Sequence, residues 1–130
     1  MSSLDDSVAV IDIGSNSGRV MVFARDASSH LRLLAGSRAR LRLVQDVDER
    51  ALLSEATMAR TMEALRDFRA IATSVGAKRI VAVATAAMRD ASNGGLFARR
   101  VERELGIRIR RMVEAVSLLV WSAPEARCAT

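Results

Sequence analysis

The sequence is poor in the residues from which most catalytic and metal centres are assembled. Cys128 is the only cysteine in 130 residues. That excludes an intrachain disulfide and a cysteine-based zinc site. His30 is the only histidine. A Ser-His-Asp triad would have to use it, yet no nucleophile pattern surrounds it, so it reads as a loop or strand-edge residue. Aromatic side chains make up 3% of the chain: Phe23, Phe68, Phe97 and Trp121. They are too few to furnish the stacking platforms of a single-strand nucleic-acid binder. No apolar run reaches the about 18 residues that span a bilayer. The opening "MSSLDDS" is acidic and polar, the opposite of a secretion signal. The expectation is a cytoplasmic protein with no membrane partner and no specific nucleic-acid signal.

Lysine is nearly absent as well: Lys78 stands alone against nineteen arginines, within a net charge of +5. A basic balance favours polyanions such as nucleic acid, polyphosphate or nucleotides. Arginine and alanine richness is also what a GC-rich genome produces. Half of the residues are hydrophobic and 27% are charged, the composition of one globular domain with a sizeable core.

The apolar run "VAVIDI" over 8–13 predicts a strand buried on both faces. "RVMVFAR" over 19–25 predicts a second strand, and the turn cluster "GSNSG" between them predicts a hairpin. A third strand is expected in 31–44, with Gly36 as a bend or bulge. From Ser54 the period changes. Met58, Met62, Leu65, Phe68 or Arg69, Ala72 and Val75 recur at helical spacing, with Ser54 as N-cap and Gly76 as C-cap. The methionine stripe is a core face. "RIVAVAT" over 79–85 predicts a central strand, and "AAMRDASNGG" a loop. A second helix is expected from Asn93 or Gly95 to Leu105, buried through Leu96, Phe97, Val101 and Leu105 and stopped by Gly106. "IRIRRM" over 107–112 alternates like an edge strand, with Arg108 and Arg110 outward. The hairpin strands are antiparallel and the helical crossovers make parallel neighbours.

The stretch "DIGSNSGR" over 12–19 can be read in two ways. It is a polar hairpin turn, or it is a phosphate cradle. Gly14 would let the backbone bend sharply and approach a ligand. The turn N–H groups and the hydroxyls of Ser15 and Ser17 can donate to phosphate oxygens. Asn16 adds an amide and tolerates a left-handed turn. Asp12, at the end of a buried strand, can hold a hydrated divalent cation. In "ATAAMRDASNG", Thr85 and Arg89 follow a central strand, where ligand crevices form. The guanidinium of Arg89 can chelate phosphate or simply pair with Asp90. Asn93 and Gly94 read as the cap of the second helix.

This order of elements resembles the actin-like ATPase lobe. The stretches "VIDIGSNSGRVMVF", "ALLSEATMARTMEALRDFRAIA", "GAKRIVAVATAAMRDASNG" and "FARRVERELGIRIR" together resemble the exopolyphosphatase and guanosine-pentaphosphate phosphohydrolase family, from about residue 8 to residue 111. The resemblance implies an α/β fold: a single ribonuclease-H-like, actin-type lobe with a five-stranded mixed sheet and helices packed on it. It implies release of terminal phosphate from polyphosphate, or conversion of guanosine pentaphosphate to tetraphosphate, with Mg²⁺. Gly14, Ser15, Asn16, Ser17, Arg19, Thr85 and Arg89 would bind phosphate, and Asp12 would hold the metal through water. Gly18 departs from the family, where a bulkier apolar residue is usual. Its expected effect is lost packing and a looser hairpin.

After Arg111 the resemblance stops. The family continues with S-G-x-E-E-A-R-L, whose glutamates position or activate the attacking water. This chain has "RMVEAVSLLVWSAPEARCAT". Glu114 either stands in as the catalytic carboxylate or is a helix-surface residue. Val116–Trp121, read from the third base of their codons, can encode Glu-Pro-Ala-Arg-Leu, so the tail is open to being an out-of-frame reading of a longer gene. The expected organisation is a flexible 1–7, a first lobe over 8–121 and a divergent tail over 122–130, with the second lobe absent. Without the second clamp, phosphoryl transfer is expected to be weak. The alternatives are a catalytically inactive module that binds phosphate, polyphosphate or an alarmone, and a nucleotide-binding kinase-type lobe. "VSLLVW" would fold back over the uncovered face or drive homodimerisation.

Overall fold

The computed structural model describes residues 6–44, 51–84 and 86–111. Five strands form one sheet in the order β3-β2-β1-β4-β5. They are β1 (Val8–Ile13), β2 (Ser17–Arg25), β3 (Leu31–Arg40), β4 (Arg79–Ala84) and β5 (Ile109–Arg111). The helices are α1 (Glu55–Val75), α2 (Ala86–Asp90) and α3 (Gly94–Leu105). β1 pairs antiparallel with β2 and parallel with β4, β2 is antiparallel to β3, and β4 is parallel to β5. The expected mixed sheet is therefore observed. None of the described helices is long and apolar enough to cross a membrane.

The burial of β1 differs from the expectation. Ala9, Ile11 and Ile13 are fully buried, while Val8, Val10 and Asp12 are only half-buried. The cause is topological. Both crossovers, β3 to β4 and β4 to β5, step across the sheet in the same direction. Right-handed connections then place their helices on one face. That face holds Ala9, Ile11, Ile13, Val20, Val22, Ala82 and Ala84, in one core with Met62, Leu65 and Phe68 of α1 and Phe97 and Val101 of α3.

The ends of α1 are as expected. The Thr57 N–H donates to Ser54 Oγ at 3.1 Å, and Gly76 ends the helix at φ 84°. Elsewhere the structure corrects the sequence reading. β3 ends at Arg40, because Arg42 turns into the left-handed region at φ 58°. The bulge falls at the register shift opposite Val22 and Phe23, and Gly36 pairs regularly with Met21. "AAMRD" forms the short helix α2 where a loop was expected. Leu96 is 64% exposed, and Gly94 takes its expected place among the buried positions of α3. β5 is shorter than expected, although Arg108 and Arg110 do face solvent. His30 is an exposed turn residue whose N–H donates to the Asp26 carboxylate. That bond, and the one from the Ser28 N–H, hold the Asp26 carboxyl below its ordinary range. Residues 1–5 and 112–130 lie outside the described residues. Ser7 is buried, donating to the Gly76 carbonyl at 2.9 Å and accepting from the Lys78 N–H.

Gly18 does not loosen the hairpin. A Cβ there would come within 2.9 Å of Leu41 Cδ1 and 3.5 Å of Phe68 Cε2, so the volume is already filled by neighbours. Gly18→Val should overpack this point and cost roughly 1–3 kcal/mol. Denaturant unfolding checks it; an unchanged midpoint would show that Leu41 makes room without loss.

Candidate phosphate-binding site

The loop Gly14-Ser15-Asn16 leaves β1 and enters β2 at the carboxyl end of the central parallel pair, where Ile13 lies opposite Ala84. The Ser15 and Asn16 carbonyls are bonded to the segment after β3. The Gly14 N–H donates to Ser17 O at 2.9 Å. Asn16 O accepts from the N–H groups of both Leu41 and Arg42, at 2.7 and 2.9 Å, and Ser15 O accepts from the Val44 N–H at 3.0 Å. The segment after β3 is thereby tied to the loop. With the carbonyls committed, the Ser15 and Asn16 amides donate to no backbone carbonyl among the described residues. Successive amides left open in a turn form a concavity suited to an anion.

Gly14 sits where the turn closes tightly. It is not among the glycines with positive φ. A Cβ at this position would stand 3.1 Å from Ser17 O, so the glycine is required by the closeness of the turn rather than by an unusual backbone angle.

A second clasp was not foreseen. Arg60, on α1, donates from Nε and Nη2 to Leu41 O at 3.1 and 2.9 Å, and also to Thr57 Oγ1 at 3.1 Å. It fixes the turn that holds Asn16. An isolated arginine on a helix carries no sequence mark of this role.

The predicted side chains are distributed as follows. Asp12 and Arg19 are cross-strand partners, with Arg19 Nε 3.5 Å from the Asp12 carboxylate. Arg89 lies on α2, which follows β4 at the same end of the sheet, and its Nε donates to Asp90 Oδ1 at 2.9 Å. The pairing holds the Asp90 carboxyl below its ordinary range. The pairing with Asp90, one of the two roles open to Arg89, is the one present here. Asn93 occupies the N-cap position of α3, accepting from the Phe97 N–H at 3.0 Å through its carbonyl. Its side chain makes no cap bond. It clasps Leu53 instead, accepting from that N–H at 2.8 Å and donating to that carbonyl at 3.0 Å. Thr85 and Glu114 lie outside the described residues.

The donor set for a metal is thin. The described residues hold no group of three histidine, cysteine, aspartate or glutamate side chains able to bind one. Asp12 is already countered by Arg19. One paired carboxylate does not by itself fit a Mg²⁺ centre, an ion bound through carboxylates together with water and substrate phosphates.

Beside the loop is a cavity of about 530 Å³ lined by Asn16, Ser17, Arg38, Arg40 and Arg42. The three arginines are exposed and came from a strand read only for its alternation. The donors gathered at this end of the sheet are backbone amides, hydroxyls and guanidinium groups, types that suit an anion.

Known proteins share this arrangement of elements. The Aquifex aeolicus Ppx/GppA family member superposes with a TM-score of 0.79 at 29% identity, over 84% of this chain and 35% of that one. An exopolyphosphatase from Cytophaga hutchinsonii gives 0.80 at 22% identity, over 85% of this chain and 35% of that one, a likeness of fold alone. The fold is that of a single actin-type ATPase lobe. In sequence, exopolyphosphatase 1 of Mycobacterium leprae is 28% identical over 103 residues, covering 79% of this chain and 30% of the relative. The guanosine-5'-triphosphate,3'-diphosphate pyrophosphatase of Pseudoalteromonas translucida is 33% identical over 101 residues, covering 78% of this chain and 20% of the relative. This chain spans well under half the length of each. Residues 21–114, from β2 past the end of β5, match the Ppx/GppA phosphatase family. With fold, order of elements and sequence in agreement over most of its length, the chain belongs to the Ppx/GppA phosphatase family.

Proposed function

We propose that this chain supplies the first-lobe half of a phosphoanhydride-hydrolase site, and that the loop over residues 14–17 receives the terminal phosphates of inorganic polyphosphate or guanosine pentaphosphate. The observation that carries this reading is the loop itself. The Ser15 and Asn16 carbonyls are bonded to residues 41–44, their amides donate to no backbone carbonyl among the described residues, and Asn16 and Ser17 line the arginine-rich cavity. Ser15 and Ser17 hydroxyls and the Asn16 amide add donors. Arg19 and Arg89, once released from Asp12 and Asp90, would add guanidinium forks that match phosphate geometry. Thr85 and Asp12 complete the proposed first-lobe set, with Asp12 taking a water-bound Mg²⁺ only together with substrate oxygens. The proposed location is the cytoplasm.

A second reading is favoured by one feature. At the loop end of the sheet the described residues offer two carboxylates, Asp12 and Asp90, and each is held by an arginine, Arg19 and Arg89. A general base needs a carboxylate free to take a proton from water. Without Glu114 in that role, the chain would bind a phosphate chain and not cleave it.

Asn16→Asp tests the site directly, because the fold uses the Asn16 carbonyl and not its side chain. A carboxylate placed there should lower tripolyphosphate affinity about tenfold, the equivalent of losing one charge-assisted hydrogen bond of roughly 1.5 kcal/mol. Titration calorimetry reads the affinity, and unchanged binding would remove the loop from the site. Phosphate release from polyphosphate with Mg²⁺ separates the two readings: turnover abolished by Glu114→Gln supports the hydrolase, and saturable binding without turnover supports the inert module.

A further inference from the structure

We infer that Arg38, Arg40 and Arg42 form a track that carries the flanking units of an unbranched inorganic phosphate chain away from the loop, which selects long polyphosphate over a nucleotide. The inference rests on the proposed role of the loop and extends it along β3.

Three observations carry it. First, the arginines converge. Arg38 and Arg40 are two residues apart on one face of β3, hence about 6.6–6.8 Å apart along the strand. Arg40 lies opposite Ser17, the last residue of the phosphate loop. Continued strand would keep Arg42 in line. The chain instead turns at Arg42 in the left-handed region, held by its N–H bond to Asn16 O, and Arg42 still lines the same cavity. Second, the charges are uncompensated. Neither Arg38, Arg40 nor Arg42 has an ion pair among the described residues. Arg38 lies directly opposite Arg19, whose own charge is already countered by Asp12, so the charge open to an anionic chain is that of the three β3-end arginines. Third, every lining residue carries a polar or charged group: Asn16, Ser17 and three arginines. No aromatic side chain among the described lining residues offers a base a stacking surface, and stacking is what single-stranded nucleic acids use.

β3 is an edge strand, and edge strands commonly carry charge to discourage pairing with another chain. That requirement is met by any exposed charge. It does not account for three arginines meeting at one cavity that shares its wall with Asn16 and Ser17.

The test compares long-chain polyphosphate with tripolyphosphate on the full chain over a salt series, by titration calorimetry. The wild type should bind the long chain more tightly. Arg38→Gln/Arg40→Gln should weaken long-chain binding on the order of tenfold, flatten the slope of log affinity against log salt by about 1 per arginine, and leave tripolyphosphate within about twofold. Arg38→Lys/Arg40→Lys, which keeps the charges, should restore the salt slope. Tripolyphosphate binding that Asn16→Asp weakens about tenfold, with no advantage for the long chain or no effect of the glutamine pair, overturns the track and leaves the loop site standing. Absence of binding to either phosphate overturns both. A single-stranded oligonucleotide that binds as tightly, and is lost in the same variant, overturns the assignment to an inorganic chain.

Discussion

Phe68→Ala should destabilise the protein by about 3–5 kcal/mol, the cost of removing a buried phenyl ring and leaving a cavity. Phe68 is 2% exposed and sits in the stripe of α1 that faces the sheet. Its ring lies beneath the hairpin: the space above Gly18 is closed by Phe68 Cε2 and Leu41 Cδ1. Gly18 follows the loop over 14–17, and Leu41 is bonded to Asn16 through its N–H. The ring therefore supports both segments that shape the site. A domain of this size has roughly 5–15 kcal/mol of stability in all, so the loss is a large share of it. Chemical denaturation measures the change. A loss under about 1 kcal/mol would mean that the hairpin settles into the space. Phe68→Leu keeps most of the volume and should cost under about 1.5 kcal/mol, which separates the loss of support from a general failure to fold.

Which parts of this architecture could be read from the residues depends on the range of the interactions that create them. α1 was legible because its signals are local: a serine cap, a stripe at period 3.6 and a glycine in the left-handed region at the end. The hairpin was legible because a turn cluster separates two β-rich runs. The half-buried face of β1 was not, because it follows from the direction of two crossovers far along the chain. The same holds for Gly14 and Gly18. Glycine in a turn suggests conformational freedom. Here one is needed because Ser17 O is close, and the other because Leu41 and Phe68 already fill the space.

The site divides in the same way. The loop over 14–17 was legible as a possible cradle, since hydroxyls, an amide and a glycine stand together in the chain. Its orientation was not, since that comes from residues 41–44, which take up its carbonyls. Arg38, Arg40 and Arg42 look like any alternating strand until the antiparallel register puts Arg40 opposite Ser17. Arg89 could serve phosphate or Asp90 on sequence alone, and its ion pair with Asp90 is a contact between sequence neighbours.

Asn93→Ala carries the second large expected effect, about 2–4 kcal/mol, and it tests a long-range clasp that sequence spacing concealed. The side chain of Asn93 satisfies both backbone groups of Leu53, at 2.8 and 3.0 Å, across forty positions. Leu53 is 3% exposed, so water does not readily replace the lost partner, and each unsatisfied buried group costs about 1–3 kcal/mol. The neighbouring bond from the Ser92 N–H to Ala51 O, at 2.8 Å, depends on the same docking. Two segments are at stake: the one that opens α1 at Ser54 and the one that opens α3 at Gly94. A helix-capping role alone predicts a smaller cost, about 1 kcal/mol. Asn93→Ser separates the two: serine is a good N-cap that cannot span both groups of Leu53, so it should lose nearly as much stability as alanine. Thermal and denaturant unfolding of the two variants decide the matter. A serine variant as stable as the wild type would return Asn93 to the ordinary role of a cap.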